Sequence, residues 1–318
     1  GHWGPGNFGL LQPPSGNMGA KSTTEELASA TPSGCFSATV DTRPGAVVPV
    51  SNGINVRFDI YDQPYFGGTA KNDSQYKPAP NVLKGKFHKN NKLCAYDDVG
   101  NSPCPDGATP PNSRPMPIHA CFATPGGCAS EGWIHPRFQP PADNNLAAQE
   151  IFWEDYWTSN HPGDSFNVFY AALDTDGDDV VTRQEMYSWE ISASKIPLGD
   201  VDGDGTPGES GAPIGNSGNG GDEGESTEFG ENGNPMIYGG SEAPDPTRRD
   251  MPVAVINCIA DGPINGQEID VPVVAFAKMF LTHVAEGGSD QVIYAEMVGV
   301  LQPGIDDEIL HDIVQLYR

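Results

Sequence analysis

This sequence predicts an α+β fold, mainly antiparallel β, with long loops, a few helices and disulfide staples. Three observations point there. Gly 39 and Pro 30 make up about a fifth of the 318 residues, a composition that supplies turns and disfavours a helical bundle. Segments of strand character recur at both ends of the chain, while helical periodicity concentrates between residues 146 and 192. Six cysteines, four of them in two close pairs, suit a loop-rich chain closed by covalent bridges.

The elements follow in order. Residues 1–34 are rich in Gly, Pro and Ser, with one helical candidate at Thr23–Ala30. Strand character covers Cys35–Val40 and Val47–Tyr61. Within the second, Asn55–Tyr61 alternates with period two, as a half-buried strand does. Residues 62–145 are loop-like and read as a disulfide-rich insertion. Leu146–Tyr156, Ser165–Leu173 and Thr182–Ile191 are helical candidates. Phe166, Phe169, Tyr170 and Leu173 would form one apolar face of the middle one. Residues 196–247 carry no Lys or Arg, and Gly199–Gly240 holds 14 glycines in 42 residues, too polar to pack a core alone. That segment is expected to be a mobile acidic loop or one ordered by cations. Met251–Ile259, Val271–His283 and Gln291–Leu301 are strand candidates. Asp306–Arg318 reads as a final helix with Ile309, Ile313 and Leu316 as its buried stripe. The whole chain, 1–318, is expected to be a single domain.

Charge narrows the function. Forty-three acidic against seventeen basic residues give a net charge of −26. Such a chain repels nucleic acid and anionic lipid heads and attracts divalent cations. No apolar stretch is long enough to span a bilayer; the longest candidate, Val271–Ala285, carries Lys278 and His283. The sequence begins at Gly1, so a removed leader or an anchor before residue 1 is expected. The cysteines fit local bridges Cys94–Cys104 and Cys121–Cys128, which leave Cys35 to reach Cys258; free buried thiols are the alternative. Bridges would require an oxidising compartment, outside the cytoplasm.

The sharpest motif is the twelve-residue run Asp174–Glu185. Asp174, Asp176 and Asp178 stand at positions 1, 3 and 5 of an EF-hand-type loop, where short carboxylates reach a hard cation. Val180 would offer its carbonyl at position 7, Thr182 stands at position 9, and Glu185 at position 12 can bind bidentately. Val181 is the apolar residue expected to pack under the loop. Position 6 departs from the pattern: Asp179 replaces the glycine that the turn favours, and Gly177 lies at position 4. The bland alternative is an acidic turn between two helices. A second run supplies Asp200, Asp202 and Asp204 at the same spacing, with Gly205 at position 6, but Pro207 and Gly211 break it. Glu209 would then serve as a ligand in a non-helical Ca²⁺ loop.

Catalytic motifs are scarce. No H-E-x-x-H, Walker or G-x-S-x-G pattern occurs. The histidines are scattered, and His161 is expected to cap the preceding helix. Phe152, Trp153, Tyr156 and Trp157 have the makings of a sugar platform, but core packing is the better expectation.

Several segments together resemble the TadG-like proteins of tight-adherence (Flp) pilus assembly. They are Gly6–Leu11 with Gly34-Cys35, then Gly53–Tyr61, Tyr156–His161, Thr182–Glu190, Arg248-Arg249 with Val253–Cys258, Met279–Thr282, Ile293–Val298 and Val314–Arg318. They cover most of the chain in order, with gaps at 62–145 and 196–247. The resemblance implies an extracytoplasmic body, attached to a membrane only through an N-terminal anchor. It implies a non-enzymatic role in adhesion or pilus assembly beside other surface or pilus-assembly proteins, with self-assembly as a variant. The EF-hand-like segment 165–191 would then be an addition. Two other functions stay open. One is a structural subunit of an extracellular filament, surface layer or membrane-associated complex. The other is a secreted calcium-dependent hydrolase or carbohydrate binder.

Overall fold

The computed structural model describes residues 10–11, 19–31, 38–43, 50–61, 64–82, 87–88, 92–93, 116, 153, 156–157, 161, 164–166, 170–175, 177, 181–195, 237–257, 268–285 and 293–301. Within them lie four α-helices, three 3-10 turns and nine short strands, all paired antiparallel. The fold is α+β.

The centre is a three-stranded sheet of β6 (Asp250–Val255), β8 (Ala275–Leu281) and β9 (Ala295–Leu301), in the order β6-β8-β9. Helices cover both faces, because alternate residues of each strand are apolar on both sides. On one face Met251, Val253 and Leu281 pack against Leu27 of α1 (Ala20–Ala28) and against Val50 and Ile54 of α2 (Val50–Val56). On the other, Phe280 meets Met186 and Tyr187 of α4 (Arg183–Ser192), together with Trp153 and Trp157. The same face continues at its far end into Ala254 and Phe276, which join Leu11, Val40 and Val271.

Helices α1 and α2 cross closely at Gly53. A Cβ there would stand 2.4 Å from the Thr24 carbonyl oxygen, so only glycine permits this approach.

Over its described part, residues 50–61, the strand expected at Val47–Tyr61 is a helix and a turn instead. The alternation in Asn55–Tyr61 does not mark a half-buried surface, since Asn55, Arg57 and Asp59 are buried along with their apolar neighbours. Each polar side chain binds backbone. Asn55 Nδ2 donates to the Ala285 carbonyl (3.0 Å), and the Ala285 N–H donates back to Asn55 Oδ1 (2.7 Å). Arg57 Nε donates to the Leu27 carbonyl (2.9 Å). Asp59, in the left-handed region at φ 60, accepts from the Ile237 and Tyr238 N–H groups. Satisfied buried polar groups thus imitated a solvent face.

Other elements differ in detail. Within the described part of Cys35–Val40 the strand is β2, Thr39–Val40, and the Val271–His283 segment splits into β7 (Val271–Pro272) and β8. The early pair β1 (Leu10–Leu11) with β3 (Thr42–Arg43), and the hairpin β4 (Phe87–His88) with β5 (Lys92–Leu93), were not anticipated. An early segment does sit beside a late one: β2 pairs with β7. Residues 237–247, at the end of the acidic stretch, are held by the protein itself. The Gly239 N–H donates to the Lys71 carbonyl (2.9 Å) and the Asp245 N–H to Pro78 (3.0 Å). The six cysteines and the final helix 306–318 lie outside the described residues.

Candidate metal loop and the polar seam behind it

The twelve-residue loop leaves α3 (Tyr170–Leu173) and enters α4. The entry helix is shorter than the Ser165–Leu173 expected. Ser165 and Phe166 are not helical, and the Phe166 ring packs at 6.0 Å from Trp157 without needing a helix. Asp174, Thr175, Gly177 and Val181–Glu185 are described. Asp176, Asp178, Asp179 and Val180 lie outside the described residues, as do Asp200, Asp202, Asp204 and Glu209 of the second run.

Glu185 closes the loop. Its Oε1 accepts from the Thr175 N–H (2.6 Å) and hydroxyl (2.7 Å) at the loop's start. Its Oε2 accepts from the Thr182 N–H (2.9 Å) and hydroxyl (3.0 Å) near the loop's end. Thr182 Oγ1 in turn accepts from the Glu185 N–H (3.1 Å), which completes a capping box on α4. Asp174 Oδ1 accepts from the Gly177 N–H at 2.8 Å. Gly177 takes the left-handed conformation, φ +77, so the loop makes a tight turn at position 4. Val181 is fully buried in the aromatic cluster under the loop.

The donor set fits a hard cation in part. Carboxylates from the first and last positions face the same short loop, as an oxygen-rich site requires. Glu185 already accepts four hydrogen bonds, close to the capacity of an ionised carboxylate. A cation would therefore have to take over one of its two oxygens. The exposed Thr175 arm is the one that can yield without breaking the helix cap. Among the described residues no group of three His, Cys, Asp or Glu side chains is placed to hold a metal, and the central aspartates of the loop are not among them.

Behind the loop, α4 sends polar side chains into the protein at nearly every turn. The Arg183 N–H donates to Glu296 Oε2 (2.7 Å) and its Nη1 to Glu296 Oε1 (2.8 Å), so β9 supplies a carboxylate to the start of the helix. Burial lowers the Arg183 pKa from the usual guanidinium range, while Glu296 works against that shift. Gln184 Nε2 donates to Asp250 Oδ1 (3.0 Å) on β6. The Tyr187 hydroxyl donates to the Pro80 carbonyl (2.8 Å).

Glu190 is the most buried of these groups. Its Oε1 accepts from the Tyr156 hydroxyl (3.1 Å) and lies 2.9 Å from His161 Nε2. Glu190 Oε2 has no hydrogen-bond partner among the described residues. The Trp157 ring stacks on the His161 ring at 3.7 Å. His161 thus ties α4 to the aromatic segment instead of capping a helix with its ring. Sequence reading missed this trio because Tyr156 and His161 precede Glu190 by 34 and 29 residues. Trp153, Tyr156 and Trp157 are buried core, not an open platform.

Three arginines were missed as well. Arg248 donates to the carbonyls of Lys77, Ser29 and Ala28. Arg249 donates to Leu281 (2.9 Å) and Thr282 (2.9 Å), and its guanidinium lies 4.6 Å from the Tyr187 ring centroid and 4.4 Å from that of Phe280. Burial lowers the Arg249 pKa; Tyr187, Tyr156, Glu190 and Asp250 counter that shift. With Arg57, these residues staple strand ends to helix ends through backbone carbonyls. No protein-family model, curated protein or solved structure matches the chain.

Proposed function

We propose that this chain is a non-enzymatic, calcium-stabilised extracytoplasmic protein of the TadG-like kind, in which the Asp174–Glu185 loop is a structural clamp. The observation that carries the metal reading is the position of Glu185, whose carboxylate joins the start of the loop at Thr175 to its end at Thr182. A Ca²⁺ ion bound there would lock the loop onto α4, and α4 is already tied to β6 and β9 through Gln184 and Arg183. The effect of the ion would be stability rather than opening of a groove. Asp174, Asp176, Asp178, the Val180 carbonyl, Thr182 and Glu185 would hold it.

The adhesion or pilus-assembly role rests on the ordered motif resemblance. The net charge of −26 and the buried His161–Glu190 end of the polar seam agree with a binding or structural part rather than a reaction site. The His161 and Glu190 side chains are 2% and 0% exposed, which leaves no room for a substrate between them. A Cys35–Cys258 bridge agrees with the chain path. The Val273 N–H donates to the Ala38 carbonyl (2.9 Å) and the Val274 N–H to Val255 (2.9 Å), so residues near both cysteines meet one two-residue segment.

Calorimetry and thermal melting of the chain, with Ca²⁺ and then with a chelator, test the clamp. Ca²⁺ is expected to bind with measurable heat and to raise the melting temperature, and Asp174→Asn is expected to weaken both effects. Unchanged heat and melting would sink the metal reading. Peptide mapping without reductant tests the bridge.

A further inference from the structure

Among the described residues, the outer edge of the central sheet carries no further strand. β9 pairs with β8 on one side, and no described residue pairs with its other side. The strand Ala295–Leu301 holds one charged residue, Glu296, and that carboxylate is engaged by Arg183. It has neither the proline nor the outward lysine that ordinarily protects an edge. Met297 pairs with Met279 while Gly299 pairs with Lys278, so Val298 is an extra, bulged residue. The bulge turns Met297 and Val300 to the same face, where they are 59% and 55% exposed.

Two apolar rows cross the sheet on that face: Met251–Met279–Met297 and Val253–Ala277–Val300. Each is closed at the β6 end by the α1–α2 layer and open at the β9 end. The Arg183–Glu296 pair ties the strand to α4, so the edge is organised before anything docks.

We propose that β9 accepts an added strand from a different protein, an extended apolar segment flanked by Lys or Arg, whose side chains extend the Met297 and Val300 rows. Main-chain pairing supplies affinity in this mode, and the apolar rows set register. Charge selects the occupant. A second copy would bring another net charge of −26 to the edge, whereas basic flanks are drawn in by the same field. This inference does not depend on the calcium reading.

The test uses two synthetic peptides with one alternating β-branched core, one flanked by lysine pairs and one by glutamate pairs. Binding to the chain is read by fluorescence anisotropy, and amide exchange is followed over residues 295–301. The lysine-flanked peptide is expected to bind, weaken with salt and protect β9 amides. Met297→Gln with Val300→Thr is expected to weaken it by about tenfold or more with an unchanged melting temperature, while Ile269→Gln, an exposed apolar site off this sheet, leaves binding intact. Three results would overturn the proposal. They are equal binding by the double variant, equal binding of the glutamate-flanked peptide, and a concentration-dependent dimer abolished by the double variant, which would make a second copy the occupant.

Discussion

Arg249 sits where a hydrocarbon side chain would be expected, against the rings of Phe58, Tyr187 and Phe280. The reason is backbone: the carbonyls of Leu281 and Thr282, where β8 ends, need donors that the sheet no longer supplies. Arg249→Met fills much of the volume but leaves both carbonyls unpaired. A loss of about 2–4 kcal/mol is expected in urea unfolding. Arg249→Lys should recover little, because a single ammonium cannot reproduce the planar fork. Gly53 makes the opposite kind of demand, for the absence of atoms. Gly53→Ala forces a Cβ to 2.4 Å from the Thr24 oxygen, a backbone atom that cannot swing away. Pushing α1 from α2 is expected to lower stability by about 1–3 kcal/mol, read from the urea midpoint. Both residues stand inside motifs visible in the sequence, yet neither role was legible there. A buried arginine and a surface arginine look alike in one dimension, and their carbonyl partners leave no signature at all.

At the element scale, legibility followed how local the signal was. Helices α1 and α4 lie close to the segments their sequences mark, β8 and β9 fall inside the predicted strands, and β6 starts one residue before its own. Helix α2 and the turn after it did not, because Asn55 and Arg57 answer to partners 230 and 30 residues away. The run Thr182–Glu185 carries two messages at once. T-x-x-E is a capping box, and the same residues are positions 9 to 12 of a cation loop. The structure shows the cap directly. If the loop also takes Ca²⁺, the ion competes with Thr175 for Glu185 Oε1 but leaves Thr182 in place. Thr175→Val removes the competing hydroxyl, which lies 2.7 Å from that oxygen, and spares the cap. Calcium affinity is then expected to rise by about fivefold, one hydrogen bond's net contribution, in a calorimetric titration against the wild type. Weaker binding would mean that Thr175 helps to build the site.

Across the whole molecule, the three layers place a polar seam between two apolar clusters, and that arrangement determines how the protein meets alkaline pH. Burial, chiefly, raises the Tyr61 pKa, helped by the nearby Asp59 and Tyr238, and burial likewise raises that of Tyr187, although Arg249 opposes it. Both hydroxyls also donate to carbonyls, Tyr61 to Tyr76 (2.7 Å) and Tyr187 to Pro80 (2.8 Å), bonds that the ionised form could not make. A group whose pKa is raised by folding contributes stability that is complete below its unfolded value, about 10 for tyrosine, and is lost as pH climbs beyond it. The unfolded chain releases these protons first, so ionisation pulls the equilibrium toward unfolding. Absorbance at 295 nm across an alkaline titration, followed together with far-ultraviolet circular dichroism, is the measurement. Of the ten tyrosines, at least Tyr61 and Tyr187 are expected to ionise only as the secondary structure is lost. Tyr187→Phe removes one of the linked protons, so its stability should fall less steeply above pH ~10 even if its stability at neutral pH is lower. Smooth ionisation of all ten before any loss of structure would show that the clusters on either side of the sheet are open to water.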